Sequence, residues 1–126
     1  MSRRLLVRWG PLVAALAGVF YLSSLQRVPG AEYFWDKLLH AAGYTAISLL
    51  TLRAFHGGLT RLRPGPTAVS LAFMLLWSVS DEYHQSFVPG RDATAGDVAA
   101  DMIGFAIACA LLLVWSAGRK TAAEGA

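Results

Sequence analysis

The sequence predicts an all-α integral membrane protein, a single domain over residues 1–126 that folds as a bundle of four transmembrane helices. Of its 126 residues, 56% are hydrophobic and only 15% are charged, whereas a soluble domain has about 25% charged residues. Four long stretches contain no Asp, Glu, Lys or Arg: residues 9–26, 38–52, 64–80 and 102–118. This composition excludes a disordered chain, a coiled coil and, because Cys109 is the only cysteine, a disulfide scaffold.

Each charge-free stretch extends into its flanks to give about 20 residues, the length that crosses the hydrocarbon core as a helix. We predict spans at residues 7–25, 36–55, 67–85 and 96–115. Strands are not expected, because the stretches do not alternate strictly between apolar and polar residues and four strands cannot close a membrane barrel.

The first helix follows Arg3 and Arg4 and has an apolar centre, a pattern that also fits a signal peptide. Its apolar part is long, however, and no A-x-A cleavage site follows it. We therefore expect it to be retained as the first span.

The later helices are bounded by chain breakers and by one capping signal. Glycines and prolines within residues 57–66 separate the second span from the third. Thr94 and Asp97 form a capping-box-like start for the fourth helix. Gly104 and Ala108 form a small-xxx-small pair on that helix, which allows a neighbouring helix to approach closely.

The basic residues predict the topology. With four spans, both termini and the middle loop share one side of the membrane. That side carries eight of the eleven cations, namely Arg3, Arg4, Arg8, Arg53, Arg61, Arg63, Arg119 and Lys120. The positive-inside rule therefore places both termini in the cytoplasm. Because topology accounts for the basic character of the chain, no nucleic-acid partner is needed to explain it.

The acidic residues lie mostly on the opposite side. Seven of the eight fall on or next to the predicted outer side: Glu32, Asp36, Asp81, Glu82, Asp92, Asp97 and Asp101. An ionisable group costs roughly 2.5–3.5 kcal/mol at mid-membrane, so such groups usually face protein or water and often mark function. Asp101 carries the most weight, because it lies more than one turn inside the fourth helix.

Polar residues at helical spacing form a stripe on each of three helices. The stripes are Asp36, His40 and Tyr44 on the second helix; Ser78, Glu82 and Gln85, with Asp81 at the edge, on the third; and Asp97 and Asp101 on the fourth. We expect these stripes to face one another in a polar pocket near the extracytoplasmic surface, beneath the loop 87–92. The predicted binding residues are Asp36, His40, Tyr44, Asp81, Glu82, Gln85, Arg91, Asp97 and Asp101, with Arg91 as the counter-charge.

Structural interpretations of the same residues stay open at this point. His40 and Asp36 fit a buried hydrogen-bonded pair that fastens helices together. Asp97 fits an acid favoured by the helix dipole at an N-terminus. Asp81 and Glu82 fit solvated groups at the end of a span.

Three segments resemble the VanZ-like family of small multi-span membrane proteins. They are DKLLHAAGY at residues 36–44, SDEYHQSFVPGRD at residues 80–92 and DVAADMIG at residues 97–104. The resemblance covers roughly residues 36–113, and Asp101 stands where many members carry Asn. It implies a multi-pass protein of the bacterial plasma membrane. It also implies an association with resistance to the glycopeptide teicoplanin, although no residue here identifies a glycopeptide.

Three functions are compatible with the pattern. The pocket binds or modulates a cell-envelope component or a lipid head group. Alternatively, the protein is an enzyme in which His40, oriented by Asp36, is the general base and Glu82 or Asp101 is an acid or metal ligand. In the third possible function, the protein is a structural scaffold in an envelope complex. We expect no cofactor, apart from a divalent cation that clustered carboxylates and a histidine are able to hold, and the sequence leaves the oligomeric state open.

Overall fold

Four α-helices make up the fold. The computed structural model describes residues 2–26 and 33–124, and the helices are α1 (Arg3–Ser23), α2 (Tyr33–His56), α3 (Pro64–Gln85) and α4 (Ala95–Glu124). No strand occurs in these two ranges. The predicted all-α class is therefore confirmed. Arg27 and Glu32, which the sequence analysis assigned to the outer side, lie outside the described residues.

The helix ends differ from the predicted spans. The first helix occupies Arg3–Ser23 instead of residues 7–25, and the fourth continues to Glu124 instead of ending at residue 115. The reason is that a change from apolar to charged residues marks the edge of a membrane, whereas a helix ends where its backbone hydrogen bonds stop. Arg and Lys are good helix formers, so helices continue past them into the polar region.

Three helices are long and apolar enough to cross a membrane within the described residues: Arg3–Ser23, Trp35–His56 and Ala95–Lys120. α3 has 22 residues, which is long enough, but prolines at its start and Asp81 and Glu82 near its end lower its hydropathy. Large apolar side chains are exposed on every helix, among them Val13 (61%), Leu39 (71%), Leu76 (69%) and Val114 (73%). Such a surface suits lipid rather than water.

α2 and α4 pack together more extensively than any other pair of helices. Their closest approach is at Gly104, where an added Cβ would lie 2.6 Å from the Ala41 carbonyl oxygen and 2.9 Å from the Thr45 nitrogen. Ala108, one turn further, is fully buried. The close approach predicted from the small-xxx-small pair is therefore confirmed.

The apolar core lies in the middle of the bundle. It is formed by side chains from all four helices, with Leu12, Leu52, Met74, Phe105 and Leu112 each at most 5% exposed. This core separates two polar ends of the bundle.

At one end, α1 and α2 are joined by arginine side chains. Nε of Arg8 donates to the Ala54 carbonyl oxygen at 2.5 Å, and the Arg53 guanidinium donates to the carbonyl oxygens of Arg8 and Val7 at 3.1 and 3.0 Å. The Arg8 guanidinium satisfies carbonyls near the C-terminus of α2, where positive charge is favourable, whereas Arg53 reaches back from α2 to carbonyls near the start of α1. The other end, where α1 and α3 finish and α2 and α4 begin, holds the acidic residues and is called the acidic end below.

Candidate functional site

The acidic end buries ionisable groups that the sequence analysis singled out. Six of the predicted binding residues there have less than a tenth of their surface exposed: Tyr44 (3%), Asp81 (4%), Glu82 (7%), Gln85 (5%), Asp97 (2%) and Asp101 (1%). Because carboxyl groups are almost never fully buried unless they are paired, their partners indicate what this end of the bundle does. The alternative interpretation, in which Asp81 and Glu82 are solvated at the end of a span, does not hold, since both side chains are buried.

Asp101 is the deepest of these acids and joins three helices. Its Oδ2 accepts a hydrogen bond from the Ser78 hydroxyl of α3 at 2.5 Å, and its Oδ1 lies 2.9 Å from Nδ1 of His40 on α2. The sequence analysis assigned Asp36 to orient this histidine. In the structure the carboxylate that bonds to Nδ1 is Asp101, on α4. Spacing along one helix cannot reveal a partner on another helix.

Asp97 lies one turn nearer the start of α4 and has two roles. It accepts hydrogen bonds from the Thr94 hydroxyl at 2.7 Å and the Thr94 backbone nitrogen at 3.3 Å. The second of these bonds is one half of the predicted capping box; the Asp97 backbone nitrogen donates to the Thr94 carbonyl oxygen instead of to the Thr94 side chain. It is also paired with the ammonium group of Lys37 on α2. Nε2 of His40 lies 3.8 Å from Asp97 Oδ1. The imidazole therefore stands between the two carboxylates of α4.

Glu82 is only partly satisfied by its surroundings. Its Oε2 accepts a hydrogen bond from the Thr94 backbone nitrogen at 3.2 Å. Its Oε1 is buried and has no hydrogen-bond partner among the described residues. A buried carboxylate oxygen without a partner is costly, which marks Glu82 as a position suited to take up a proton, an ion or a hydrogen-bond donor.

Asp81 faces α1 instead of α4. Its Oδ2 accepts hydrogen bonds from the Ser23 hydroxyl at 2.7 Å and from the Gln85 side-chain amide at 3.0 Å. Its Oδ1, like Glu82 Oε1, is buried with no partner in the described part of the chain. Two neighbouring acids on α3 thus face different helices, Asp81 towards α1 and Glu82 towards the start of α4, and each leaves one oxygen unused.

A cavity of about 420 Å³ opens between α1, α2 and α3. Its polar lining comes from Ser23, Asp36, His40, Tyr44, Asp81, Gln85 and Arg91. Its apolar lining includes Val19, Leu22 and Leu39, of which Leu22 and Leu39 are 59% and 71% exposed on the outside of the bundle. The Tyr44 hydroxyl is buried without a hydrogen-bond partner among the described side chains and backbone. The cavity therefore joins a lipid-facing apolar wall to a polar floor with free hydrogen-bonding capacity.

Arg91 does not act mainly as the predicted counter-charge to the acids. Its guanidinium donates to the carbonyl oxygens of Leu22 and Leu25 at 3.1 and 3.2 Å. It therefore caps the C-terminal end of α1, which carries a partial negative charge. It nevertheless lines both the cavity and a second groove at the surface, which also includes Asp36 and Lys37.

The single pocket predicted from the sequence is thus divided in two. Six of the nine predicted residues line the cavity: Asp36, His40, Tyr44, Asp81, Gln85 and Arg91. The other three, Glu82, Asp97 and Asp101, form a buried network behind it, and His40 belongs to both. For general base chemistry, the suitable pair is His40, which lines the cavity, and Asp101, which bonds to its Nδ1. Glu82, the predicted acid, does not line the cavity.

Two residues of the candidate site were missed by the sequence analysis. Ser23 and Lys37 contact buried acids, yet neither was predicted as part of the site. Ser23 stands among apolar residues on a helix with no polar stripe, so no pattern marked it. Lys37 directly follows Asp36, and its charge was counted only as evidence on topology.

The arrangement concentrates negative charge. The acids gathered at this end are Asp36, Asp81, Glu82, Asp97 and Asp101, and the permanently charged cations lining the same cavities are Lys37 and Arg91. Burying an unpaired charge is expensive. The site as it stands therefore favours a ligand that brings positive charge or hydrogen-bond donors.

Two groups of side chains have the spacing needed for metal ligands. Within the described residues these are Asp36, His40 and Asp97, and His40, Glu82 and Asp101, with ligand atoms no more than 4.8 Å apart in each group. In the first group Lys37 already pairs with Asp97, which places a positive charge where an ion would bind.

The family model described as VanZ/LLP1 matches residues 10–116 of the chain. Comparisons with curated proteins and with solved structures gave no match. The family match spans most of the sequence, from the first third of α1 to near the end of α4, and includes every predicted binding residue. The chain therefore belongs to the VanZ/LLP1 family.

Proposed function

We propose that this VanZ/LLP1 family member is a multi-pass protein of the bacterial plasma membrane that binds the polar head group of an envelope lipid or a lipid-linked envelope component. All four helices cross the membrane, both termini are cytoplasmic, and the acidic end faces outward. The cation distribution of the sequence supports this orientation. The three long apolar helices and the exposed apolar surface support the membrane location.

The observation that carries the proposal is the composition of the 420 Å³ cavity. The exposed Leu22 and Leu39 form its lipid side, so an acyl chain lying against α1 and α2 leads directly to its mouth. On its floor, Asp81 Oδ1 and the Tyr44 hydroxyl are buried and have no hydrogen-bond partner within residues 2–26 and 33–124. Ligand sites commonly combine apolar walls with a few convergent polar groups in this way.

The free groups indicate the chemistry of the head group. An ionised carboxylate is an acceptor only, so Asp81 calls for a hydroxyl or amine donor from the ligand. The Arg91 guanidinium keeps unused N–H donors beyond its two bonds to α1, and guanidinium binds phosphate well. The proposed ligand therefore carries amine or hydroxyl groups that reach Asp81 and Tyr44, and a phosphate near Arg91.

A second candidate is a membrane-embedded enzyme, favoured by one observation. His40 lines the cavity while its Nδ1 is held by the buried Asp101, the relation that a general base has to its orienting carboxylate. The apolar wall and the free acceptors on the floor serve binding directly, and we therefore rank binding first.

Lipid retention tests the proposal. The full-length protein is extracted and exchanged into nanodiscs, and lipids retained by it are quantified by native mass spectrometry. We expect Tyr44→Phe and Asp81→Asn to weaken retention by about 10-fold or more, because each removes a hydrogen-bonding group in a buried site. Tyr83→Phe is the matched control, since Tyr83 is 70% exposed on α3. Unchanged retention in both site variants would refute head-group binding.

Turnover separates the two candidates. His40→Gln removes the basic nitrogen but keeps a polar side chain of related size. If the protein only binds its ligand, this variant still retains lipid and wild-type protein leaves that lipid chemically unchanged. A modified lipid in wild-type nanodiscs that is absent with His40→Gln would establish the enzyme. Teicoplanin susceptibility of cells expressing each variant tests the association carried by the family.

Cysteine labelling tests the topology. In a Cys109→Ala background, single cysteines are placed at Leu59 and Asp92, both exposed and in the two loops that flank α3. We expect a membrane-impermeant reagent applied to intact cells to label only Asp92→Cys. Labelling of both cysteines from the same side would show that α3 does not cross the membrane.

A further inference from the structure

We infer that His40, Glu82 and Asp101 form a binding site for a divalent transition-metal ion at the acidic end. The three residues come from α2, α3 and α4, and two of them, Glu82 and Asp101, do not line the lipid cavity. The ion site therefore shares His40 with the proposed head-group cavity, while its two carboxylates lie outside that cavity; metal binding and lipid retention are measured separately, so either proposal can fail without the other.

The geometry of the three side chains suits one ion. Each offers a ligand atom, and all three atoms lie within 4.8 Å of one another. His40 Nδ1 and Asp101 Oδ1 are 2.9 Å apart. Ligands about 2.0–2.2 Å from a zinc ion lie roughly 3–3.5 Å apart around it. Small side-chain rotations are thus enough to bring the three ligand atoms within bonding distance of one metal ion.

The second observation is the unused oxygen of Glu82. The side chain is 7% exposed, and Oε1 has no hydrogen-bond partner among the described residues. The other oxygen is held by the backbone nitrogen of Thr94 at 3.2 Å, which fixes the carboxylate at the edge of α4. A buried acid that is held in place and keeps one free oxygen is suited to be a metal ligand. Residues that bind a metal directly are usually oriented by a hydrogen bond from a neighbouring group that does not touch the metal.

Charge supports a cation at this position more than at the neighbouring one. Asp97 is already paired with Lys37, so the group of Asp36, His40 and Asp97 holds a positive charge from the chain itself. Glu82 and Asp101 have no Lys or Arg partner among the described ion pairs. A divalent ion there offsets two buried negative charges, and the imidazole completes a mixed nitrogen and oxygen ligand set.

The ligand set indicates the type of ion. Imidazole suits zinc and other transition metals, whereas carboxylates alone suit Mg²⁺, Ca²⁺ or Mn²⁺. One histidine and two carboxylates therefore favour Zn²⁺ or Mn²⁺. Because the ligands come from three helices, the bound ion links α2, α3 and α4 and stabilises the folded bundle over the unfolded chain.

Metal content and thermal unfolding test the site. The full-length protein is purified in detergent, treated with chelator, and dialysed against Zn²⁺, Mn²⁺, Mg²⁺ or Ca²⁺ in turn. We expect about one Zn²⁺ or Mn²⁺ per chain by elemental analysis, and a saturable rise in Tm with either ion. No stoichiometric metal and no Tm change in the wild-type protein would overturn the inference, whatever the variants do.

Two variants identify the ligands. Glu82→Gln and His40→Ala are each expected to increase the metal concentration that half-saturates the Tm rise by at least tenfold. His84→Asn is the matched control, because His84 is on α3 next to the site in sequence but stacks on Phe20 of α1, with ring centroids 4.4 Å apart. A control variant that loses the Tm rise as fully as Glu82→Gln would contradict the assignment.

A proton on Glu82 is the competing account of its free oxygen, and the same measurements separate the two. Glutamine has the shape of the protonated acid, so under that account Glu82→Gln leaves the Tm of metal-free protein unchanged or higher. Added metal then leaves the wild-type Tm unchanged. This combination of results would show that Glu82 carries a proton and does not bind a metal ion.

Discussion

Substituting Gly104 by alanine tests the closest packing in the bundle. Gly104 lies on α4 against α2, and an added Cβ would lie 2.6 Å from the Ala41 carbonyl oxygen, 2.9 Å from the Thr45 nitrogen and 3.0 Å from the Tyr44 Cβ. Two of these three atoms belong to the backbone, so no side-chain rotation relieves the contact. The two helices have to separate by several tenths of an ångström.

The expected cost follows from two opposing effects. Replacing glycine by alanine inside a helix gains about 1 kcal/mol from helix propensity. Forcing a methyl group into a packed interface costs typically about 1–3 kcal/mol, and here the cost lies at the upper end because backbone atoms must move. Separating the helices also lengthens the contact between His40 and Asp101, a buried hydrogen bond worth about 1.5–3 kcal/mol when one partner is charged. Because that bond is lengthened and not broken, only part of its energy is lost, and we expect net destabilisation of about 2–4 kcal/mol.

Unfolding in detergent micelles measures this effect. The free energy of unfolding is followed by tryptophan fluorescence, with Gly18→Ala as the matched control, because an added Cβ at Gly18 on α1 meets no atom within 4 Å. We expect the control to be neutral or slightly more stable. A Gly104→Ala protein as stable as the wild type would refute the close approach of α2 and α4.

Three further predictions use the same unfolding assay. Ser23→Ala removes the hydrogen-bond donor to buried Asp81 and is expected to lower the free energy of unfolding by about 1.5–3 kcal/mol. Its control, Ser80→Ala at an exposed position, is expected to change stability by less than about 0.5 kcal/mol. Equal effects of the two substitutions would contradict the pairing of Ser23 with Asp81. Arg53→Ala breaks the bonds between α1 and α2 and is expected to cost about 1–3 kcal/mol, and Arg61→Ala is its exposed control. Asp101→Asn removes a buried charge while keeping its hydrogen-bonding shape, so we expect near wild-type stability with the metal-induced Tm rise lost; a retained rise would remove Asp101 from the ligand set.

The helices were predictable from the sequence because they depend on local features. Long apolar stretches without charge predicted four helices, and the Thr94 and Asp97 pair predicted the start of α4. The packing at Gly104 was also predictable, because a small residue one turn from another leaves a gap on a helix surface. Helix ends were less predictable, since helices continue beyond the membrane edge that charges mark.

The partners within the site were not predictable in the same way. Helical spacing identified His40, Asp81 and Asp101 as polar groups turned toward a neighbour. It gave no information on the rotation of one helix against another, and that rotation decides which side chains meet. The sequence analysis therefore paired His40 with Asp36 on its own helix, where the structure pairs it with Asp101, and it missed Ser23, whose importance comes only from facing Asp81.

The packing of α2 on α4 and the polar network at the acidic end are one structural feature. Gly104 lies one turn from Asp101 on α4, and it contacts Ala41, the residue next to His40 on α2. Without a side chain at position 104, the two backbones come close enough for the short carboxylate of Asp101 to reach the imidazole at 2.9 Å. A larger residue there would move the histidine away and leave a buried acid with one partner fewer. The position of the buried charge is therefore set by the smallest residue of the interface, and substitutions at Gly104 should alter ion binding and stability together.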